Sequence, residues 1–209
     1  MRLYDRYVLP RVVDFTCSRR PNMRQRQKIV PQASGAVLEI GFGSGLNVMF
    51  YDRAKVQRVW ALEPSAEMWT RAEAKARSAQ VPIELLPAPA ERVPLPDDSV
   101  DTVLITYTLC TIADVDSALA EAKRVLREGG RFLFCEHGAA PDVHVLRWQN
   151  RLNPLWKRFG GGCNLNRRIP ELIEGAGFRI ENLSTMYIPG WKPASFNYWG
   201  SAVPVPASC

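Results

Sequence analysis

Histidine and paired cysteine are scarce in this chain. Its 209 residues include two histidines, His137 and His144, and five cysteines at positions 17, 110, 135, 163 and 209, with no C-x-x-C pair. A zinc site draws its ligands from clusters of these residue types. No metal is therefore expected, and the thiols read as small apolar side chains. Long hydrophobic runs are also missing: no stretch approaches the roughly 18–20 apolar residues that cross a bilayer. Met1-Arg2-Leu3-Tyr4-Asp5-Arg6 lacks the continuous apolar core of a signal peptide, which makes a cytoplasmic protein the default. The chain contains no internal repeat and no low-complexity segment.

What is present is ordinary in amount and uneven in place. Hydrophobic residues make up 46% and charged residues 23%, the balance of a globular chain that forms one domain over 1–209. Residues 1–30 hold eight basic side chains (Arg2, Arg6, Arg11, Arg19, Arg20, Arg24, Arg26, Lys28) against Asp5 and Asp14, so this segment carries the whole net charge of +6. The cluster is either a solvated helix face or an attraction for an anionic membrane or nucleic acid, each cation near such a membrane contributing about 1 kcal/mol. Leu3, Tyr4, Tyr7, Val8, Val12 and Phe15 recur at helical spacing, Pro10 suits the start of a helix, and Asn22 is placed to cap another running to Ile29 and Val30. This basic helical preface, residues 1–35, serves as a lid or covers part of a sheet.

From residue 36 strands and helices alternate, the pattern of a parallel sheet flanked by helices. Strands are expected at 36–40, 59–63, 83–86, 100–106 and 130–135. Helices are expected at 66–78 behind Ser65, and at 114–127, with Glu128-Gly129-Gly130 supplying a left-handed end. A further apolar stretch spans 141–159, interrupted by Pro154. A helix follows near 170–176, and 178–187 and 196–203 close the chain as strands.

One stretch organises the rest: Val37-Leu38-Glu39-Ile40-Gly41-Phe42-Gly43-Ser44-Gly45-Leu46-Asn47. It reads as a buried strand turning abruptly into a helix, with glycines that let a ligand approach backbone N–H groups. A dinucleotide fingerprint requires G-x-G-x-x-G, but position 46 is Leu and the spacing is G-x-G-x-G. An acid two residues before the first glycine disfavours a pyrophosphate and suits an ammonium group. In an open α/β sheet, ligands sit beyond the carboxyl ends of the strands. There the second strand ends at Glu63-Pro64, where a carboxylate can accept from both ribose hydroxyls, the third is followed by Pro89-Ala90-Glu91, and the fourth runs into Thr106-Tyr107-Thr108-Leu109-Cys110. S-adenosylmethionine has an ammonium, a ribose and an adenine but no phosphate.

Val37–Asn47, Ala61–Ser65, Glu91–Asp101 and Arg124–Phe132 together resemble the motifs of the class I S-adenosylmethionine-dependent methyltransferases, type 11 group. The resemblance covers roughly 36–137. It implies an α/β fold, a Rossmann-like three-layer sandwich with a seven-stranded, mostly parallel sheet whose last strand is antiparallel, and S-adenosylhomocysteine as the spent cofactor. It places Glu39, Gly41, Phe42, Gly43, Gly45, Leu46, Asn47, Glu63, Pro64, Met68, Ala90, Glu91, Thr106 and Tyr107 around the cofactor. Pro89 stands where the family often has an adenine-binding acid, leaving that contact to backbone groups at Ala90 and Glu91. The segments Thr108–Cys110, Phe134–His137, Trp148-Gln149, Pro154–Trp156, Gly162–Arg167 and Tyr198–Val203 are similar to the methyltransferase-like thiol S-methyltransferases of animals. Those proteins carry an apolar N-terminal anchor where this chain has its basic preface.

The resemblance implies methyl transfer to a small lipophilic acceptor, a thiol first, with residues 138–209 on the acceptor side. A lipid-headgroup or other small-molecule N- or O-methyltransferase is the alternative, and a cofactor-binding regulatory module is one of another class. Nucleic acid is not an expected partner, because no Asn/Asp-Pro-Pro-aromatic motif follows the fourth strand. Peripheral contact with an anionic membrane through the basic preface remains open. A thiol is only a few per cent ionised at neutral pH, so His137 is the first candidate base, the other reading being a histidine that shapes its loop. Glu136 is placed to orient it, and Tyr107 to line the transfer region. Cys110, Trp148, Trp156 and Cys163 are candidate pocket residues, or simply packing. Arsenic methylation would need paired cysteines, which the sequence does not display.

Overall fold

The computed structural model describes residue 4 and residues 8–205. The expectations attached to Arg2, Leu3, Arg6, Tyr7 and Cys209 fall outside them. Seven strands form one sheet: β1 (Gly35–Ile40), β2 (Val56–Leu62), β3 (Ile83–Leu86), β4 (Val100–Thr106), β5 (Leu126–His137), β6 (Phe178–Tyr187) and β7 (Phe196–Pro204), in the spatial order β3-β2-β1-β4-β5-β7-β6. The first five pair in parallel, and β7 inserts antiparallel between β5 and β6. The seven-stranded, mostly parallel sheet expected from the motifs is present.

Side chains alternate across a strand, and here both alternating sets are apolar. Val103, Ile105, Phe132 and Phe134 pack on one face with Leu119 and Ala122 of α4 (Val115–Val125) and with Ile169 and Ile173 of α6 (Ile169–Gly175). Leu104, Leu133 and Cys135 meet Ile29 of α2 (Arg20–Ile29) and Ala72 of α3 (Ala66–Arg77) on the other. Two covered faces are what a parallel sheet needs.

Three local expectations are corrected. Helix α4 stops at Val125, not Arg127, because the amides of Asp98 and Ser99 take the carbonyls of Arg124 and Val125, and Leu126 turns extended to pair with Val100. Gly129, at φ +74°, sits in the pairing irregularity that follows rather than at a helix end. Asn22 lies inside α2, its amide donating to Thr16 O and tying α2 to α1 (Leu9–Cys17). The glycine turn does not open into an α-helix. Gly41, Gly43 and Gly45 all have φ between +57° and +72°, left-handed steps that a right-handed helix cannot contain, and only a short 3-10 turn at Val48–Phe50 precedes β2.

Candidate functional site

The carboxyl ends of β1, β2 and β4 deliver the groups expected at the site, and a buried polar network holds them there. Glu39 is 1% exposed. Its Oε1 accepts from Asn47 Nδ2 at 2.8 Å and its Oε2 from the Tyr51 hydroxyl at 2.5 Å. Burial pushes its carboxyl up to about 7 against these hydrogen bonds. Asn47 also donates to Thr106 Oγ1 at 3.0 Å, and Arg26 of α2 donates to Asn47 Oδ1 at 2.9 Å and to Thr106 Oγ1 at 2.5 Å. Glu39 and Asn47 thus brace the floor from behind and do not line the space above it. At the end of β2, Glu63 Oε2 accepts from Gly43 N at 2.8 Å and Oε1 from Ser65 N at 2.9 Å, so one carboxylate fixes both the glycine turn and the start of α3. Ser65 caps that helix by accepting from Met68 N.

Above this floor lies a cavity of about 490 Å³. Its walls include Gly41, Phe42, Gly43, Leu46, Glu63, Pro64, Met68, Ala90, Glu91, Thr106 and Tyr107. Gly41 has no room for a side chain: a Cβ there would lie 2.3 Å from Thr108. Tyr107 adopts φ +53°, its ring packs under the Arg26 guanidinium at 5.0 Å, and its hydroxyl donates to Asn197 Oδ1 at 2.7 Å. Burial raises that hydroxyl well above the usual tyrosine range, which leaves it a wall and not a proton acceptor. Helix α1 roofs the cavity with Leu9, Pro10, Asp14 and Cys17. It is held by contact with the Gly160–Gly162 turn, where a Cβ on Gly161 would lie 2.6 Å from Leu9, and by the Tyr4 hydroxyl donating to Phe159 O. Within the preface, α1 lies over the cavity and α2 packs against the sheet.

Behind the roof, three chain segments bring Cys110, His137 and Cys163 together, their donor atoms all within 4.8 Å of one another. Cys163 Sγ lies 3.3 Å from His137 Nε2. The Cys110 thiol beside it, then the His137 charge, outweigh burial and bring Cys163 down to about 4. Burial lowers His137, but the Cys163 thiolate more than offsets it, and the imidazole ends above its ordinary value. Glu136 does not orient His137. Its Oε1 accepts from the amides of Thr108 at 2.7 Å and Leu109 at 3.1 Å, shaping the turn after β4, and burial raises its carboxyl to about 7. His137 itself does not line the cavity.

A family model described as a methyltransferase domain matches residues 38–134. Human thiol S-methyltransferase TMT1B is 35% identical over 179 residues, 82% of this chain and 72% of that protein. Human thiol S-methyltransferase TMT1A is 32% identical over 178 residues, 83% of this chain and 72% of that protein. The chain belongs to the S-adenosylmethionine-dependent methyltransferases. Its fold matches that of a solved S-adenosylmethionine-dependent methyltransferase from Thermotoga maritima with a TM-score of 0.65, at 22% identity, covering 96% of this chain and 97% of that one. S-adenosylmethionine is its cofactor, and the residues present fit it. Gly41 and Gly43 give the cavity a wall without side chains, Glu63 lines it beside them, and Arg26 holds its Nε buried without a partner at the cavity edge.

Of the methyltransferase residues expected from sequence, Gly45 lies outside the cavity against Ala72 and Phe42, and so do Cys110 and Cys163 behind the roof. Trp148 is 58% exposed in a separate shallow hollow beside Trp191. Trp156 stacks on Trp191 at 5.2 Å between centroids and also lies outside the cavity. Two charged cavity residues were not expected there, Arg26 and Asp14. Arg26 was hidden among seven other basic residues, although it stands three and four residues before Ile29 and Val30 and so shares their buried face. Asp14 shares one face of α1 with Pro10 and Cys17; it accepts from Ser44 Oγ and lies 3.7 Å from Arg71.

Proposed function

We propose that this methyltransferase moves the methyl group of its cofactor to the sulfur of a small lipophilic thiol. The observation that carries the acceptor is the likeness to the thiol S-methyltransferases, which spans 82% of the chain and so runs well past the matched domain. When bound, the cofactor supplies an electrophilic methyl on a sulfonium. Arg26 would bind its carboxylate, Asp14 and the backbone carbonyls of the Gly41–Ser44 turn would take the ammonium end, Glu63 would accept from the ribose hydroxyls, and Ala90 and Glu91 would flank the adenine. Tyr107 and the α1 roof exclude water and hold the acceptor in line, alignment of a kind that can contribute on the order of 7–11 kcal/mol of the barrier.

A thiol acceptor would lose its proton to solvent, and its sulfur would take the methyl that the bound cofactor would supply, leaving S-adenosylhomocysteine. No histidine faces the cavity among the described residues, so the nucleophile is the acceptor's own thiolate, drawn to the sulfonium charge. His137 holds Cys163 and the loop around it. Mass spectrometry of products made from methyl-labelled cofactor and a panel of thiols, amines, phenols and phospholipids tests the acceptor. Labelling confined to amines or phospholipids overturns the thiol assignment, and cofactor binding without any product would point to a regulatory module.

The acceptor is reached from a membrane surface. No helix among the described residues is long and apolar enough to cross a bilayer, yet α1 leaves Phe15 66% exposed. The neighbouring α5 (Val143–Phe159) leaves Leu155 61% and Phe159 56% exposed. Arg19 and Arg20 follow α1, and Lys157 and Arg158 end α5, the mix of apolar and basic groups that settles at an anionic interface. Co-sedimentation with anionic liposomes that weakens at high salt is expected. Equal absence of binding at low and high salt would remove this part of the reading.

A further inference from the structure

The cluster of Cys110, His137 and Cys163 is not used by the methyl transfer described above, and its three side chains come from well-separated parts of the chain. Cys110 lies in the turn after β4, His137 is the last residue of β5, and Cys163 follows the glycines after α5. We propose that these three residues bind a soft divalent cation of the zinc class. Two sulfurs and one imidazole nitrogen are the donor set such an ion selects. Metal–sulfur bonds of about 2.3 Å and a metal–nitrogen bond of about 2.0 Å place neighbouring donors three to four ångströms apart in a tetrahedron. The 3.3 Å separation of Cys163 Sγ from His137 Nε2, with Cys110 inside the 4.8 Å limit, is close to that arrangement before any ion enters.

A second observation points the same way. Beside the cluster the Trp156 indole N–H hydrogen-bonds Cys163 and favours its thiolate, the form that ligates a metal, while Glu136 Oε2 is a buried acceptor without a partner that a metal-bound water can satisfy. Arg167, hydrogen-bonded to Leu109 O and Ile112 O, lies near enough to act on both thiols, so two thiolates and a divalent ion leave the neighbourhood close to neutral beside Glu136 and Arg167. Among the described residues no fourth Cys, His, Asp or Glu joins the group, which leaves the fourth position to water or another exogenous ligand. The ion would fasten the loop that carries Gly160 and Gly161 to the ends of β4 and β5. That loop touches the α1 roof, and both glycines line the cavity.

The test uses the whole reduced chain, stripped with a chelator and titrated anaerobically with Co²⁺, whose spectrum reports thiolate ligation. One equivalent should bind with sulfur-to-metal charge-transfer absorption and be displaced by Zn²⁺, and Zn²⁺ should raise the melting temperature. Cys163→Ser and His137→Ala should each weaken binding by roughly 100-fold or more while still binding S-adenosylhomocysteine, which shows that they fold. Cys135→Ala removes a buried thiol outside the group and should bind Co²⁺ as the parent does. No saturable uptake by the reduced chain overturns the proposal. So does uptake unchanged in Cys163→Ser and His137→Ala, or a Cys110–Cys163 disulfide that takes up no metal once reduced. Metal binding does not depend on the acceptor being a thiol, so failure here leaves that reading standing.

Discussion

Replacing Arg26 by Met tests the cofactor assignment where it is most exposed to failure. The thioether side chain keeps the apolar stem against the Tyr107 ring and deletes the guanidinium that lies 5.0 Å from it. Two consequences follow from the structure. Asn47 Oδ1 loses its buried donor, while Thr106 Oγ1 keeps the bond from Asn47 Nδ2 at 3.0 Å, so one acceptor is left unpaired, at about 1–3 kcal/mol of stability. The cofactor carboxylate loses a hydrogen bond to a charged group, worth about 1.5–3 kcal/mol, or roughly 10- to 150-fold in Kd. Calorimetry with two ligands separates these effects. S-adenosylhomocysteine carries the carboxylate and should bind 10- to 150-fold more weakly to Arg26→Met, whereas 5′-methylthioadenosine, which shares the nucleoside but has no amino-acid end, should bind as it does to the parent. Equal weakening of both ligands would show that Arg26 acts only through the floor network, and no weakening of either would place the carboxylate elsewhere.

Gly41→Ala should cost about 2–5 kcal/mol of stability in urea melts, from about 1–2 kcal/mol for a left-handed backbone at φ +72° and about 1–3 kcal/mol for a Cβ set 2.3 Å from Thr108. A midpoint unchanged from the parent would mean that the turn is looser than described. Glu39 has its folded pKa raised from 4.5 to about 7 by burial. Its contribution to stability is therefore fully present below 4.5 and lost as pH rises through 7, a change of about 3 kcal/mol. Glu39→Gln removes that loss, so the stability difference between variant and parent should move in the variant's favour from pH 5 to pH 8; a difference constant with pH would refute the buried-carboxylate account. Phe132→Ala should cost about 3–5 kcal/mol, since the ring is fully buried and packs 4.9 Å from Phe178 and 6.2 Å from Phe134; denaturation differing by less than about 1 kcal/mol would contradict that packing.

The sheet was legible because its signals are local and agree with one another. Strands carry short apolar runs, such as Val103-Leu104-Ile105 in β4 and Phe132-Leu133-Phe134-Cys135 in β5, bounded by polar residues, and helices fall between them. Errors came where a distant segment decides a local outcome. The end of α4 could not be read from Glu128-Gly129-Gly130, because the groups that terminate it are amides of Asp98 and Ser99. The opening turn needs its glycines, since Gly41 sits against the Thr108 side chain with no room for a Cβ. Their left-handed angles also forbid the helix that was expected to follow, and Asn47 and Tyr51 are instead spent on holding Glu39.

The acceptor side was harder, and α5 shows why. Its apolar residues Val143, Trp148, Leu155 and Phe159 are exposed, while its one fully buried side chain is Gln149. That amide accepts from Ala140 N and donates to Gly138 O and Pro193 O, each at 2.9 Å, pinning the helix to the loops after β5 and before β7. Periodicity arguments assume that the apolar groups of a helix lie on its buried face, but α5 carries two sets, Val145, Leu146, Leu152 and Trp156 half-buried around Gln149, and Val143, Trp148, Leu155 and Phe159 exposed. Beside a cavity roof, the exposed set is available for a surface outside the chain. The same doubling explains why Trp148 read as a pocket residue and stands instead at 58% exposure. The cysteine cluster is the converse case, since residues 110, 137 and 163 show no spacing signal in sequence and meet only because β4, β5 and the turn after α5 end at one edge of the sheet.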